Sequence, residues 1–277
     1  MSMSATPHKI SIINLEKDDI LELVKKGKRI DDRDLLDHRE LEIKTEIIEK
    51  ANGSAQVILG NTRVIAGVQV EIGTPFSDTP DQGALNVNAE FTPIASPTFE
   101  EGPPGEDSIE LARIVDRSIR ESKMIDLEKL CIDPGNKVFI VFVDINVMDH
   151  DGNLIDASTI ASVSALLSSR MKEFEFKNNE LVYKSKEKPL PVTNCPISVT
   201  FAKLGENLVL DPCYKEEAIM SSRLTVGVNE KGQISALQKG GDGELTIDEV
   251  KKATSAAIEK SKVLRSKISE AVKHSKD

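Results

Sequence analysis

An α+β chain built as two β-α layered subdomains, with mixed sheets and packing helices, is what this sequence predicts. Three observations carry that expectation. Apolar residues alternate at period two in several separated runs, which marks half-buried strands. Between and after those runs lie segments with helical spacing, at Asp107–Lys123, Ile155–Arg170 and Thr246 onward. A polar, proline-bearing stretch at 175–192 divides two such strand-and-helix sets, and stable domains pair a sheet face with a packed layer.

In chain order, residues 1–28 read as a tail followed by a short helix, Leu15 to Lys26, stopped by Gly27. The first subdomain is expected over 29–174. Its clearest signal is GSAQVILGNTRVIAGVQVEIG, two strands meeting at Gly60-Asn61, a tight hairpin by turn chemistry. Ala84 to Thr92 alternates Leu85, Val87, Ala89 and Phe91 and reads as a strand, as does Lys137 to Met148. The helix Ile155 to Arg170 is rich in Ala and Ser, which suits close packing on a sheet. Residues 175–192, with Pro189 and Pro191, read as a linker. The second subdomain, 193–277, is expected to hold strands at Ile197–Lys203, Asn207–Leu210, Leu224–Val228 and Ile234–Gln238, with a short helix near Lys215–Met220. Its last helix opens on a capping box, Thr246 with Glu249, and carries Ile247, Val250, Ala257, Leu264 and Ile268 as its inner stripe.

Bulk properties narrow the function. A chain of 277 residues has ample core for one large or two ordinary domains. No run approaches the ~20 apolar residues of a membrane helix, and MSMSATPHKI lacks the apolar centre of a signal peptide, so a cytoplasmic protein without membrane contact is expected. Cys131, Cys195 and Cys213 form no C-x-x-C pair and are odd in number, which fits a reducing compartment rather than a disulfide framework or zinc site. The net charge is −10, there is no Trp and there are two Tyr. Indiscriminate polyanion binding and base stacking as a principal grip are both disfavoured.

Motifs for small-ligand chemistry are weak. In GGDGELTIDE the first and third positions of a calcium loop would be Gln238 and Gly240, which offer no carboxylate, so turn and cap is the better reading. Asp149, His150 and Asp151 are adjacent in a turn and seldom converge on one ion. His8, His38 and His274 suggest no triad. Asp211, Glu216 and Glu217 could serve as acids or ligands if gathered at a strand end, or complement a helix N-terminus.

The strongest local signal is FEEGPPGEDSIELARIVDRSIRESK. Gly102-Pro103-Pro104-Gly105 stops any strand and delivers the chain into a helix at Asp107 or Ser108. Arg113, Arg117 and Arg120 then fall within an arc of roughly 60°, with Leu111, Ile114, Val115 and Ile119 opposite. Three guanidiniums pointing one way can read phosphates. Judged from the helix alone, the commoner outcome is a solvated face knitted by Arg113–Asp116 and Arg117–Glu121 pairs.

Taken together, the hairpin segment, the arginine segment, MDHDGNLIDASTIASVSALL and LVLDPCYKEE resemble the RNase PH family from about Arg29 to Lys260. Within it they are most similar to the non-catalytic RNase PH-like subunit of the archaeal exosome. The resemblance implies a subunit of a 3′-to-5′ phosphorolytic RNA-degrading ring, arranged three-plus-three with a catalytic RNase PH-like paralogue. RNA-binding cap proteins and single-stranded RNA are the other implied partners, and no cofactor or metal of its own is implied. Where active members hold phosphate with a Gly-Ser-Arg-like run, this chain has Asn153-Leu154-Ile155. Where they carry two aspartates six residues apart, it has Glu217 and Arg223. These degenerate positions imply no catalysis by the chain itself. Arg113 and Arg117, and more weakly Arg120, resemble residues that grip RNA beside the neighbouring subunit's active site, so the chain would scaffold that site and help complete it. Two alternatives stand beside this reading: an active phosphate-dependent exoribonuclease using Glu217, or a structural ring member without RNA contact.

Overall fold

Two sheets enclose a helix that is buried on every side. The computed structural model describes residues 8–177 and 180–274; the expected tail at 1–7 lies outside them. The chain opens with α1 (His8–Lys25), longer than expected, and continues through β1 (Leu41–Thr45), β2 (Gly53–Leu59), β3 (Thr62–Gly73) and β4 (Ala84–Phe91). Then come α2 (Glu106–Glu121), β5 (Cys131–Asp133), β6 (Lys137–Asp149) and α3 (Leu154–Ser168). These strands form one six-stranded sheet, ordered β1-β2-β3-β6-β4 with β5 on β6. It is mixed, because β4 runs parallel to β6 while its other pairings are antiparallel. The β2–β3 turn is the predicted Gly60-Asn61 pair, with Gly60 at φ +59°, a conformation glycine adopts without strain.

The expected linker at 175–192 is instead mostly a strand pair. β7 (Arg170–Lys177) and β8 (Glu180–Pro189) form an antiparallel hairpin. Its polar composition arises because it stands off the body and is held by surface contacts. Lys184 meets Glu175 at 2.6 Å, and Phe174 lies edge-on to Phe139 with ring centroids 4.9 Å apart. The second half comprises β9 (Ile197–Leu204), β10 (Asn207–Leu210), α4 (Tyr214–Glu217), β11 (Ser222–Val228), β12 (Ile234–Gly240) and α5 (Ile247–His274). Its sheet, ordered β10-β9-β11-β12, is antiparallel throughout. The capping box forms in full: Thr246 N–H donates to Glu249 Oε2 at 2.7 Å, and Glu249 N–H donates to Thr246 Oγ1 at 3.2 Å. Ala257, Leu264 and Ile268 are buried, but Ile247 is 75% exposed, because the first turn of α5 overhangs the sheet.

α3 carries the architecture. It packs on β2 and β3 on one side and on β9 on the other, and almost every residue along it is buried. A helix apolar all round belongs inside a protein, and its Ala and Ser side chains let both sheets approach. One continuous core therefore runs from Val57 and Val143 through Ile160 to Val199 and Val226. α1 crosses to the second half, where Ile20 and Val24 pack on Leu204, Val209 and Ile219.

The two halves are pinned by buried charge. Asp211, wholly buried, accepts from Arg39 N at 2.8 Å, Arg39 Nε at 3.0 Å, Arg39 Nη2 at 2.8 Å, Arg33 Nη1 at 3.2 Å and Asn153 Nδ2 at 2.7 Å. Burial by itself would raise its carboxyl, but the Arg39 guanidinium and the Asn153 amide more than offset that and hold it below the usual carboxylate range. Arg29 pairs in the same way with buried Glu216. Removing one member of such a pair strands the other charge in low dielectric. Asp211→Ala should therefore lose about 3–5 kcal/mol in chemical denaturation, with Asp211→Asn losing less. A loss below about 1 kcal/mol, as for exposed pairs, would show that the halves are held elsewhere.

Candidate functional site

α2 forms where predicted, one or two residues early, with Gly105 as its N-cap and Glu106 and Asp107 complementing the dipole of its first turn. Leu111, Ile114, Val115 and Ile119 are buried, while Ser108 and Ser118 permit close approach to the layers beneath. Ser198 Oγ on β9 lies 3.3 Å from Ser118 Oγ. The opposite face exposes Arg113, Arg117 and Arg120 along an open groove of about 850 Å³, walled by β4 at Asn86 and by β12 at Ala236 and Gln238.

The three arginines are not equivalent. Arg120 donates to both Asp116 oxygens, at 2.7 and 3.1 Å, and to the Leu85 carbonyl at 3.1 Å. Arg117 donates to Gln238 Oε1 at 3.2 Å. Arg113 makes no hydrogen bond or ion pair among the described residues. The pairs expected of a merely solvated face, Arg113–Asp116 and Arg117–Glu121, do not form. Arg120, grouped with the other two by spacing, has its guanidinium committed to its own helix and to β4. The sequence presents Gln238 only as a calcium-loop position without a carboxylate; only the fold brings β12 beside α2.

Of the five positions that the family resemblance marks as altered, Leu154, Ile155, Glu217 and Arg223 line a second, smaller cavity of about 180 Å³. The turn before α3 is set by Gly152 at φ +86°, where a Cβ would stand 2.5–2.6 Å from the backbone of Pro212–Tyr214. The loop thus lies flat on the β10–α4 connection and brings Leu154 and Ile155 beside Glu217 and Arg223. Asn153 departs from the expected arrangement. Its backbone N–H donates to Glu217 Oε1 at 2.8 Å, but its side chain turns inward to Asp156 and Asp211 as the helix cap. Phe91 and Phe99, stacked with centroids 4.6 Å apart, line the cavity, and His150 stacks on Phe99 at 5.4 Å.

Electrostatics in this cavity disfavour a phosphate. Arg223 reaches into it but is paired through Nη2 with Glu110 Oε1 of α2 at 2.8 Å. Asp107, Glu110 and Glu217 add acids, and Leu154 and Ile155 offer no donor side chain, so an entering dianion would lose hydration without replacement. Burial pushes the Glu217 carboxyl up to about 7, and burial likewise raises Asp156 to about 7. Among the described residues no three His, Cys, Asp or Glu side chains gather as a metal site. Asp211 and Glu216 are consumed by Arg39, Arg33 and Arg29, and Glu216 also accepts from the Cys213 backbone N–H at 2.9 Å, the helix-start role.

Comparison with known proteins bears on this geometry. Residues 37–172 match domain 1 of the RNase PH 3′ exoribonuclease family, and residues 194–260 match its domain 2. The chain belongs to the RNase PH family. Exosome complex component Rrp42 of Thermococcus kodakarensis is 49% identical over 261 residues, covering 94% of this chain and 96% of that relative. Rrp42 of Methanothermobacter thermautotrophicus is 50% identical over 255 residues, covering 91% and 94%. Among solved structures, a chain of the Archaeoglobus fulgidus exosome with RNA bound to the active site superposes with a TM-score of 0.86 at 41% identity, covering 93% of this chain and 99% of that one. The RNase PH fold, with its paired β-α subdomains, is therefore common to all of them.

The half-buried Glu217 has a thermodynamic signature. Its folded pKa is raised above the ordinary 4.5, so the folded state takes up the proton more readily, and stability falls as pH rises from about 4.5 through 7. Glu217→Gln keeps an acceptor for the Asn153 N–H and removes the titration. It should gain about 1–3 kcal/mol over the parent above pH 7, and the gain should vanish below pH 4.5. Asp156 and His38 titrate in both proteins and cancel in the difference. Parallel denaturation series at several pH values measure it, and a difference constant with pH would mean that Glu217 titrates normally.

Proposed function

We propose that this chain is a non-catalytic subunit of an exosome, a 3′-to-5′ phosphorolytic ring, and that it grips single-stranded RNA for the active site of a catalytic paralogue. Its full-length likeness to relatives named exosome complex component Rrp42, and to chains of archaeal exosome structures, supports membership of such a ring. A three-plus-three arrangement in the cytoplasm, topped by RNA-binding cap proteins, completes the reading.

One observation supports the division of labour: the unpaired Arg113 and the altered positions Leu154, Ile155 and Arg223 face different spaces. Arg113 is free and Arg117 lightly held in the groove, while Leu154, Ile155 and Arg223 line the smaller cavity, where Arg223 holds Glu110. A guanidinium with a free planar edge suits bidentate phosphate contact. An acidic protein of net charge −10 would hold RNA only where such cations are concentrated. Arg120 serves the helix rather than the strand.

In the ring assembled with its catalytic paralogue, replacing Arg113 and Arg117 together by Glu should weaken RNA binding and processive degradation. Folding should be intact, because the buried face of α2 is untouched. Each lost phosphate contact should flatten the plot of log affinity against log salt by about 0.7 for a single strand. An unchanged salt slope and rate would reduce the stripe to a solvated surface. The purified chain alone, given magnesium, phosphate and RNA, should release no nucleoside diphosphates. Steady release abolished by Glu217→Gln would overturn the non-catalytic reading.

A further inference from the structure

The groove that holds Arg113 and Arg117 also holds acids of the same helix. Glu110 lies three residues before Arg113 and seven before Arg117, so it shares their face of α2. Asp116 lies three residues after Arg113. Acidic and basic side chains at such spacings pair readily on a helix surface, and either acid could bind Arg113 and quench it. Neither does. Asp116 is held on both oxygens by Arg120, and Glu110, which stands between the groove and the small cavity, is held at Oε1 by Arg223 on β11 at 2.8 Å. Glu121, four residues past Arg117, is exposed at the end of the helix, and Arg117 turns to Gln238 instead.

From this geometry we infer that Arg223 is a positioning residue for RNA binding: by sequestering Glu110 it keeps the Arg113 guanidinium free to take a phosphate. This rests on the proposed role of Arg113 and Arg117 and adds a third residue to it, on β11 and outside the groove. Arg223 lines the small cavity and not the groove, and its side chain is 15% exposed, so it is poorly placed to meet RNA itself. The arrangement gives the reversed charge at position 223 a use. Where an aspartate would repel Glu110 back toward Arg113, an arginine holds it away. Arg120 does the same for Asp116 within the helix.

The test is a rescue in the complete ring with its catalytic paralogue, reading affinity for a fluorescent single-stranded RNA across a salt series. Arg223→Gln should weaken binding about 1.5- to 2.5-fold, as the released Glu110 competes with phosphate for Arg113, and should flatten the salt slope by up to about 0.7. Adding Glu110→Gln removes the released competitor, and the double variant should bind like the parent. Glu110→Gln alone should bind as well as the parent or better. Two results overturn the inference. If Glu110→Gln alone weakens binding as much as Arg223→Gln, the pair is only a strut for α2. If Arg223→Gln stays weak in the double variant, Arg223 contacts RNA directly or supports the fold. Arg113→Glu with Arg117→Glu in the same series separates this from the parent reading: were that variant to bind normally, the proposed function itself would have failed. Thermal melting of each ring confirms that assembly is retained.

Discussion

The buried carboxylate of Asp211 is the constraint on which the rest of the molecule depends. It belongs to the second half, at the end of β10, yet its hydrogen bonds come from Arg33, Arg39 and Asn153, all in segments that serve the first half. A carboxylate removed from water is tolerable only when every lone pair is met by a donor, and here five donor contacts meet it. Asp211 itself sits at φ +51°, a left-handed conformation uncommon outside glycine and mildly strained. The surrounding arginines hold it there. Because Asn153 is drawn to Asp211, the turn before α3 is fixed, and Leu154 and Ile155 are fixed with it.

The same pairings set the electrostatics of this region. Asp211 and Glu216 look from sequence like a chemical cluster, but each is neutralised by arginine and sealed from solvent. Glu217 alone remains open to a cavity, and there burial disfavours its charge. Acids tied to guanidiniums or pushed toward neutrality carry little free negative charge. The unpaired guanidinium of Arg113 lies instead on the exposed face of α2, along the groove.

Elements with a clear period were legible from sequence: the β2–β3 hairpin, β4, β6, β9 to β12, the amphipathic α2 and the capping box of α5. The β7–β8 hairpin was not, because KSKEK alternates charge rather than hydrophobicity and its pairing rests on surface ion pairs and Phe174. β1 is short and lies at a sheet edge, where five residues give little pattern. Ile247 misled because helical spacing says which side of α5 an apolar residue occupies and not where the sheet beneath ends. At the site, spacing correctly grouped three arginines, but partner choice depends on distant strands. Gln238 and Arg223 come from β12 and β11, and nothing local ties them to α2. Asn153 was assigned to the phosphate position on likeness, whereas its side chain answers to the unsatisfied donors and acceptors at the start of α3.

That dependence on distant strands makes the groove a property of the whole fold. One wall is β4, from the first sheet; the other is β12, from the second; and α2 lies between, touching both. Neither half alone would present Arg113 and Arg117 against a defined surface, since Leu85 orders Arg120 from one side and Gln238 orders Arg117 from the other. α3 makes this possible. Its Ala and Ser side chains are small enough to let two sheets close on one helix, and the single core that results leaves α2 no freedom to rotate its arginines away. The rigid, outward stripe is thus a consequence of small residues in the interior, and a bulky residue in the middle of α3 would disturb the groove without touching any residue that lines it.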